Sequence, residues 1–520
     1  MRVVISCFVV LIFVFTTHAQ TCETVDDFKI TVMGSSVALG VGGSGFGYAR
    51  RYSDLLEKRF DEGNVNEWKM ANISIGGNNT LNILNRWSED LLPECGRYVM
   101  YGLSLANEGI QSGGQAKFDQ FRDNMLSLIA MVREEGIEPV IVGNYTRGNF
   151  SPTDYDFIKE INMLIHGWDV ASVNVLGAVD NGFGQWANGH SADAGHPNQA
   201  GHREFSFTIV PSLFDALHAG KAQPVWVEGT SMNLGRAASS DQLVITPEEI
   251  LHPFTLSFAI KTTSTGAIAV FETDQEEPGS ITIDRTTGTL NYTSPAGEVI
   301  KGNEVINDGQ WHRITLTHYY AWGKTFLYAD DVREGEVDEK LAPTTFYISD
   351  KNGPDDVLFR NLLFYRSGMN ATEIEALNEG KMLKSSLEIY SPLDEEGVFS
   401  EDELINLAQS TNKLKKRDAL SLLPLSIEDD MNGLGVEVYP NPARRNVTFR
   451  YTVPRAGQVT LKIYDLNGRM VSSLENSQKA GWNTYEWDLS GPEYSLLKSG
   501  IYSYRISSSQ ESHTGRLIIQ

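Results

Sequence analysis

Between Phe28 and Gly220, short apolar runs alternate with longer segments whose apolar residues recur every three or four positions. FKITVMG, KMANISI, RYVMYGLSL, EPVIVGN and ASVNVLGAV are rich in β-branched residues and end on glycine or polar turns, which predicts five strands. Between them, Phe118, Phe121, Met125, Leu128 and Val132 fall on one face of a helix. Strand–helix alternation of this kind predicts an α/β fold, a parallel sheet with helices on both sides. In such sheets reactive side chains collect where the strands end, at their carboxyl edge.

Beyond residue 220 the helical period disappears. Phe254, Leu256, Phe258 and Ile260 alternate with other residues, and Ile281 and Ile283 face Leu290 and Tyr292 across the turn DRTTG. NDGQWHRITLTHYY followed by KTFLYADD reads as a hairpin-like pair, so a β-sandwich is expected, closed by a short helix over 371–379. The stretch 385–433 is polar and mixed, with NKLKKRDALS near its middle, and reads as a connection. From residue 436 the chain is again all β: Val447, Phe449, Tyr451 and Val453 alternate after a Pro-Asn-Pro turn, and VTLKIYDLNGRMV runs into an Asn467-Gly468 turn.

At 520 residues the chain is too long for one core. Its expected division is 1–19 signal peptide, 20–222 α/β domain, 223–384 sandwich, 385–435 linker and 436–520 small β domain. Arg2 followed by an apolar run from Val3 to Phe15 and then Thr-Thr-His-Ala is a secretory signal, too short to remain as a membrane helix. No other segment is long and apolar enough to span a membrane. The formal charge of −24 argues against nucleic acid or an anionic membrane as partner. Once Cys7 leaves with the signal, only Cys22 and Cys95 remain, free to pair in an oxidising compartment or to stay apart.

The stretch TVMGSSVALGVG puts two serines at the end of the first strand. A serine hydroxyl needs a base to take its proton and N–H groups facing the oxygen that becomes negative. Gly77, in SIGGNNT, can offer a bare backbone amide, and Asn107, in LANEG, a side-chain N–H. In SADAGHPNQAGH, Asp193 and His196 are three residues apart, so one tight loop places both side chains on the same side. The carboxylate can then fix the imidazole that faces the serine.

Four such blocks in this order resemble the SGNH (GDSL-type) hydrolases over about 28–220. The resemblance implies a flavodoxin-like three-layer fold, Ser36 as nucleophile, Asp193 and His196 as its partners, and an oxyanion hole of Ser36, Gly77 and Asn107. The first block is Gly34-Ser35-Ser36 in place of Gly-Asp-Ser, and the third is Ala106-Asn107-Glu108 where Gly-Asn-Asp is commoner. Ser35 is the rival nucleophile, though it falls on the position of the aspartate. His190, Asp193, His196 and His202 fit no tight zinc spacing, so no metal and no cofactor is expected. Asn144, Arg147 and Trp186 are candidates for substrate binding, Trp186 by stacking on a sugar face.

DGQWHRITLT…LYADD (308–331) resembles the laminin-G/concanavalin-like jelly roll, which implies that Trp311 is core packing. Tyr-Pro-Asn-Pro, then YDLNGR, then SGIY, closely resembles the C-terminal sorting domain of type IX secretion. That resemblance implies a Bacteroidetes-type bacterium, the type IX machinery as partner, and usual removal of the domain on export. The combined expectation is a secreted or surface-attached serine esterase that removes acetyl groups from acylated polysaccharide. A lipase or arylesterase acting on small or lipid esters is one alternative, and a non-catalytic carbohydrate-binding or adhesion protein another. Since 28–220 holds every reacting group, that part alone is expected to hydrolyse small esters.

Overall fold

The first strand, β1 (Asp26–Gly34), pairs in parallel with β2 (Lys69–Asn72) on one side and β3 (Gly96–Gly102) on the other. β4 (Glu138–Val142) and β5 (Ala171–Val173) complete a parallel sheet of order β2-β1-β3-β4-β5. The connections carry α1 (Ser36–Leu39), α2 (Tyr48–Asp61), α3 (Thr80–Asp90), α4 (Leu105–Glu108) and α5 (Ile110–Glu134). After these come α6 (Pro152–Gly167), α7 (Leu176–Val179), α8 (Gln199–Phe207) and α9 (Leu213–His218). Ile30, Val32 and Met100 pack one face of the sheet against α2, α8 and α9. Met33, Val99, Tyr101 and Ile141 pack the other against α5 and α6, where Phe118, Phe121, Met125, Leu128 and Val132 are all buried. This is the expected three-layer α/β architecture.

This computed structural model describes residues 22, 24–236, 241–350, 352–394, 398–400 and 403–418, together with the strands of 436–519 and parts of their connections. The expected signal at 1–19, the Asn467-Gly468 turn and 419–435 lie outside the described residues. The chain forms two compact units, 1–422 and 423–520. Cys22 and Cys95 are joined in a disulfide, so the segment entering β1 is tied to the turn that enters β3.

Within the first unit, residues 232–418 form a nine-stranded and a seven-stranded sheet around one core. Leu256, Phe258 and Ile260 meet Ile281, Ile283, Leu290 and Tyr292 there, as their alternation predicts. The expected closing helix is α10 (Ala371–Asn378). Two expectations are corrected. The stretch 385–418 is not a bare connection: Leu387–Ser391 pairs with Val357–Tyr365 in the seven-stranded sheet, and Leu414–Asp418 pairs with Asp241–Ile245 in the nine-stranded one. Nor is Trp311 core, since it stands half-buried on the outer face of its sheet.

The α/β layers and the sandwich share a buried polar seam. Glu373 of α10 accepts hydrogen bonds from His166 Nε2 at 3.1 Å and Asn174 Nδ2 at 2.7 Å. Ser385 N–H donates to His166 Nδ1 at 3.1 Å, which leaves the proton on Nε2. Arg366, also buried, bridges Glu388 at 2.7 Å and the Phe207 carbonyl at 2.8 Å.

The second unit holds a three-stranded and a four-stranded antiparallel sheet. Val447, Phe449, Tyr451 and Val453 all point into its core with Trp487.

Candidate active site

Gly34 and Gly102 lie opposite each other at the ends of β1 and β3. A Cβ on Gly34 would stand 2.2 Å from the Gly102 carbonyl oxygen, so only glycine lets α1 start this close to the sheet. Of the two serines that follow, Ser35 is fully buried beside the Tyr145 phenol, whose own pKa burial pushes up to about 12. Ser36 opens the first turn of α1 and is half-buried. Ser36 Oγ lies 3.0 Å from His196 Nε2.

His196 Nδ1 is 2.9 Å from both carboxylate oxygens of Asp193. A carboxylate can only accept, so Nδ1 carries the proton and Nε2 offers its lone pair to the Ser36 hydroxyl. Asp193 Oδ1 also accepts the backbone N–H groups of Gly195, at 2.7 Å, and His196, at 2.9 Å. The hydrogen bond from His196, then that from the Gly195 N–H, holds the Asp193 carboxyl below the usual carboxylate range. One short loop therefore fixes both side chains, because the carboxylate organises its own turn.

That loop is braced from behind. The Ala194 carbonyl accepts Trp186 Nε1–H at 3.0 Å and Gly148 N–H at 2.9 Å. Asn198 caps α8 and holds the Gly189 and Ser191 carbonyls with its amide. Trp186 is 8% exposed and stacked among Tyr145 and Phe205, so it is a prop for the loop and not an open platform for a sugar ring. Phe183 is the exposed aromatic of that stretch.

Gly77 occupies the third position of a turn closed by Asn78 N–H to the Ile75 carbonyl at 3.2 Å, with φ +79°, a conformation that favours glycine. This leaves the Gly77 N–H outside the turn's own hydrogen bond. Asn107, on α4, donates one amide hydrogen to the Asn78 carbonyl at 3.1 Å, which ties the second and third blocks together.

Asn144 is fully buried, contrary to its expected place against substrate. Its Oδ1 accepts the Leu105 N–H at 2.6 Å, and its own N–H donates to Asn162. Asn144 thus sets the start of α4 and, through it, Asn107. Arg147 does lie beside the reactive loop: a Cβ on Gly195 would come within 2.5 Å of its Nη2. His202 is no ligand in waiting, since Nε2 donates to the Val41 carbonyl and Nδ1 accepts the Tyr48 N–H, and burial holds its pKa down. Sequence reasoning missed Glu108, which is buried and accepts from Thr80 N–H at 3.0 Å and Thr80 Oγ1 at 2.8 Å. It clamps the start of α3 to α4. The only trace in the sequence is a glutamate where aspartate is commoner.

A sheet of this order, with Ser, His and Asp hydrogen-bonded in series at its carboxyl edge, defines an SGNH-type hydrolase domain. Residues 32–204 match the GDSL-like Lipase/Acylhydrolase family, and residues 437–520 match the Secretion system C-terminal sorting domain. The chain therefore carries a GDSL-like acylhydrolase domain and a tail that marks it for secretion or attachment to the cell surface. No helix among the described residues is long and apolar enough to cross a membrane. No curated protein sequence matches the chain.

Among solved structures, a Bacteroides ovatus protein named for carbohydrate binding is 15% identical, covering 38% of this chain and 60% of its own, with TM-score 0.30. The chain thus spans less than two thirds of that protein. A Bacteroides fragilis protein named as an acylhydrolase is 14% identical over 38% of this chain and 91% of its own, TM-score 0.30. A variant of an acetyl xylan esterase from Geobacillus stearothermophilus is 17% identical over 36% of this chain and 94% of its own, TM-score 0.29.

Proposed function

We propose that this protein is a secreted serine esterase that removes short acyl groups, acetyl above all, from polysaccharide. The observation that carries the reading is the unbroken relay from Asp193 through His196 to Ser36 Oγ. In this mechanism Ser36 Oγ attacks the ester carbonyl carbon while its proton passes to His196 Nε2. The charge left on the carbonyl oxygen is met by the N–H groups of Ser36 and Gly77 and the Asn107 amide. Collapse expels the sugar hydroxyl, which takes the proton from His196, and leaves an acyl-serine. Water, deprotonated by the same imidazole, then releases the acid and restores Ser36. No metal is required in any step.

The substrate side rests on export and on architecture. A chain bearing a sorting tail meets polymers too large to import, and Arg147 at the edge of the loop is suited to a sugar hydroxyl or carboxylate. Leu39, Val41, Phe46 and Ile75 are exposed on the segments next to Ser36 and Gly77, and they favour a second reading in which the acyl group is longer and greasier. One experiment separates the two. Acetate release from acetylated xylan and other acetylated polysaccharides is compared with p-nitrophenyl esters of increasing chain length. The proposal expects acetyl esters to be best and polymer to release acetate. A rate that climbs through octanoate with no acetate from polymer establishes the lipid-ester reading instead.

A further inference from the structure

The outer face of the seven-stranded sheet carries a cleft of about 320 Å³, at the small end of the roughly 300–1,000 Å³ typical of ligand pockets. Strand register explains its floor. Arg313 pairs with Ala259, and Ala259 pairs with Arg360, so two arginines stand either side of an alanine in one cross-strand row. Each guanidinium lies over an indole, Arg313 at 5.0 Å from the Trp226 ring and Arg360 at 4.1 Å from that of Trp311. Stacked this way, a guanidinium keeps N–H donors in its own plane for an acceptor.

Among the described residues no carboxylate supplies that acceptor. Arg313 is 8% exposed, and its Nη1 donates to Ser257 Oγ at 3.3 Å. Among the described residues no carboxylate forms an ion pair with it. Asp330 lines the cleft, but its oxygens take the Arg313 backbone N–H and the His312 ring. Glu379 is paired with Lys381, and Glu228 is exposed. Burial, with the neighbouring Arg360 charge, pushes the Arg313 guanidinium down to about 10, with Asp330, Tyr365 and Tyr390 opposing the shift. Arg360 Nε and both amide atoms of Asn378 are buried without a partner as well. Buried polar atoms are nearly always satisfied, and an uncompensated buried charge is costly. Two arginines with spare donors therefore share one cleft, whose lining also includes the carboxylates of Glu228, Asp330 and Glu379.

We propose that this cleft binds a carboxylate-bearing sugar, a uronic acid unit of an acidic polysaccharide. The carboxylate lies between Arg313 and Arg360, and the indole edges wall the ring. The site is independent of the esterase reading, and its test reads binding alone.

The full-length protein is titrated at low salt, by calorimetry and tryptophan fluorescence, with a panel of glucuronate- and galacturonate-containing trisaccharides. The same sugars with their carboxyls methyl-esterified, a sulfated trisaccharide and pentaglutamate are the comparison probes. At least one uronate is expected to bind at one site per chain and at least tenfold more tightly than its methyl ester. Arg313→Gln and Arg360→Gln should each weaken it at least tenfold with aryl-acetate hydrolysis unchanged. If Arg313→Gln fails to fold, Arg360→Gln and Trp311→Ala, on half-buried residues, carry the test. The proposal is overturned if no uronate binds, if the methyl ester binds equally, or if Arg360→Gln has no effect. Tighter, Arg360-dependent binding of the sulfated sugar or of pentaglutamate overturns it too, by assigning the cleft to another anion.

Discussion

His166 Nε2 meets Glu373 Oε1 at 3.1 Å across the seam between the α/β layers and the sandwich, with both side chains almost wholly buried. Glu373 also holds Asn174, directly after β5, so a chain ending at 223 lacks Glu373 and opens His166, Asn174 and Met163, which packs on the sandwich, to water. The hydrogen bonds and the apolar burial across the seam are then lost together. Contrary to the expectation that 28–220 acts alone, a chain ending at 223 should therefore be insoluble or melt well below the full-length protein, whereas one ending at 422 keeps its Tm. Glu373→Ala in the full chain leaves the His166 Nε2–H and Asn174 Nδ2–H donors buried without an acceptor and should cost about 1–3 kcal/mol for each in urea unfolding. Equal melting of the 223 and 422 chains contradicts this view of the seam.

Asn144 acts on the site through Leu105 and α4. Asn144→Ala is expected to lower kcat on p-nitrophenyl acetate about tenfold while KM stays put, since Asn107 is displaced but nothing that touches ground-state substrate is removed. A rise in KM with kcat intact would return Asn144 to the substrate-binding role.

Trp186→Phe keeps one aromatic ring against Tyr145 and Phe205 and removes the N–H that braces Ala194 together with part of the indole's packing volume. A loss of about 1–3 kcal/mol in stability is expected, with the same fractional fall in kcat/KM on aryl acetate and on acetylated polymer. A fall confined to polymer would show that the indole meets the sugar.

His318, fully buried in the sandwich, donates from Nδ1 to Thr325 Oγ1 and accepts the Leu341 N–H on Nε2. Burial pushes its pKa down to about 3. The unfolded chain binds this proton from about pH 6.5 downward and the folded chain does not, so stability falls as pH drops from about 6.5 toward 3. At pH 4.5 the contribution is about 2–3 kcal/mol relative to pH 7. Urea midpoints at the two pH values, for wild type and His318→Gln, check it: the variant should show the shallower pH dependence.

The sheet, the order of the four blocks and the choice of loops were legible because buried parallel strands ending in glycine leave a strong local signal. Ser36 was separable from Ser35 only by block position, and the structure gives the physical reason, one hydroxyl under the sheet edge and one on the imidazole. Leu387–Ser391 was missed because it is buried on both faces and shows no alternation. Leu414–Asp418, reading LKKRD, hides an added strand behind charges. The face of Trp311 follows from period two alone: Ile314 and Leu316 point into the core, so 311 falls on the opposite face with Arg313. Asn144 and Glu108 act through contacts distant in sequence, which no local pattern carries.

The central claim is that Ser36 is the nucleophile, and comparing kcat/KM of Ser36→Ala and Ser35→Ala on p-nitrophenyl acetate tests it most directly. Both substitutions remove one oxygen, and circular dichroism can verify that each variant is folded. Ser36→Ala is expected to lose on the order of 10⁴-fold or more, the scale of nucleophile deletion in a triad, while Ser35→Ala loses less than about tenfold. A folded Ser36→Ala variant that retains activity, or a Ser35→Ala variant that is the dead one, contradicts the account.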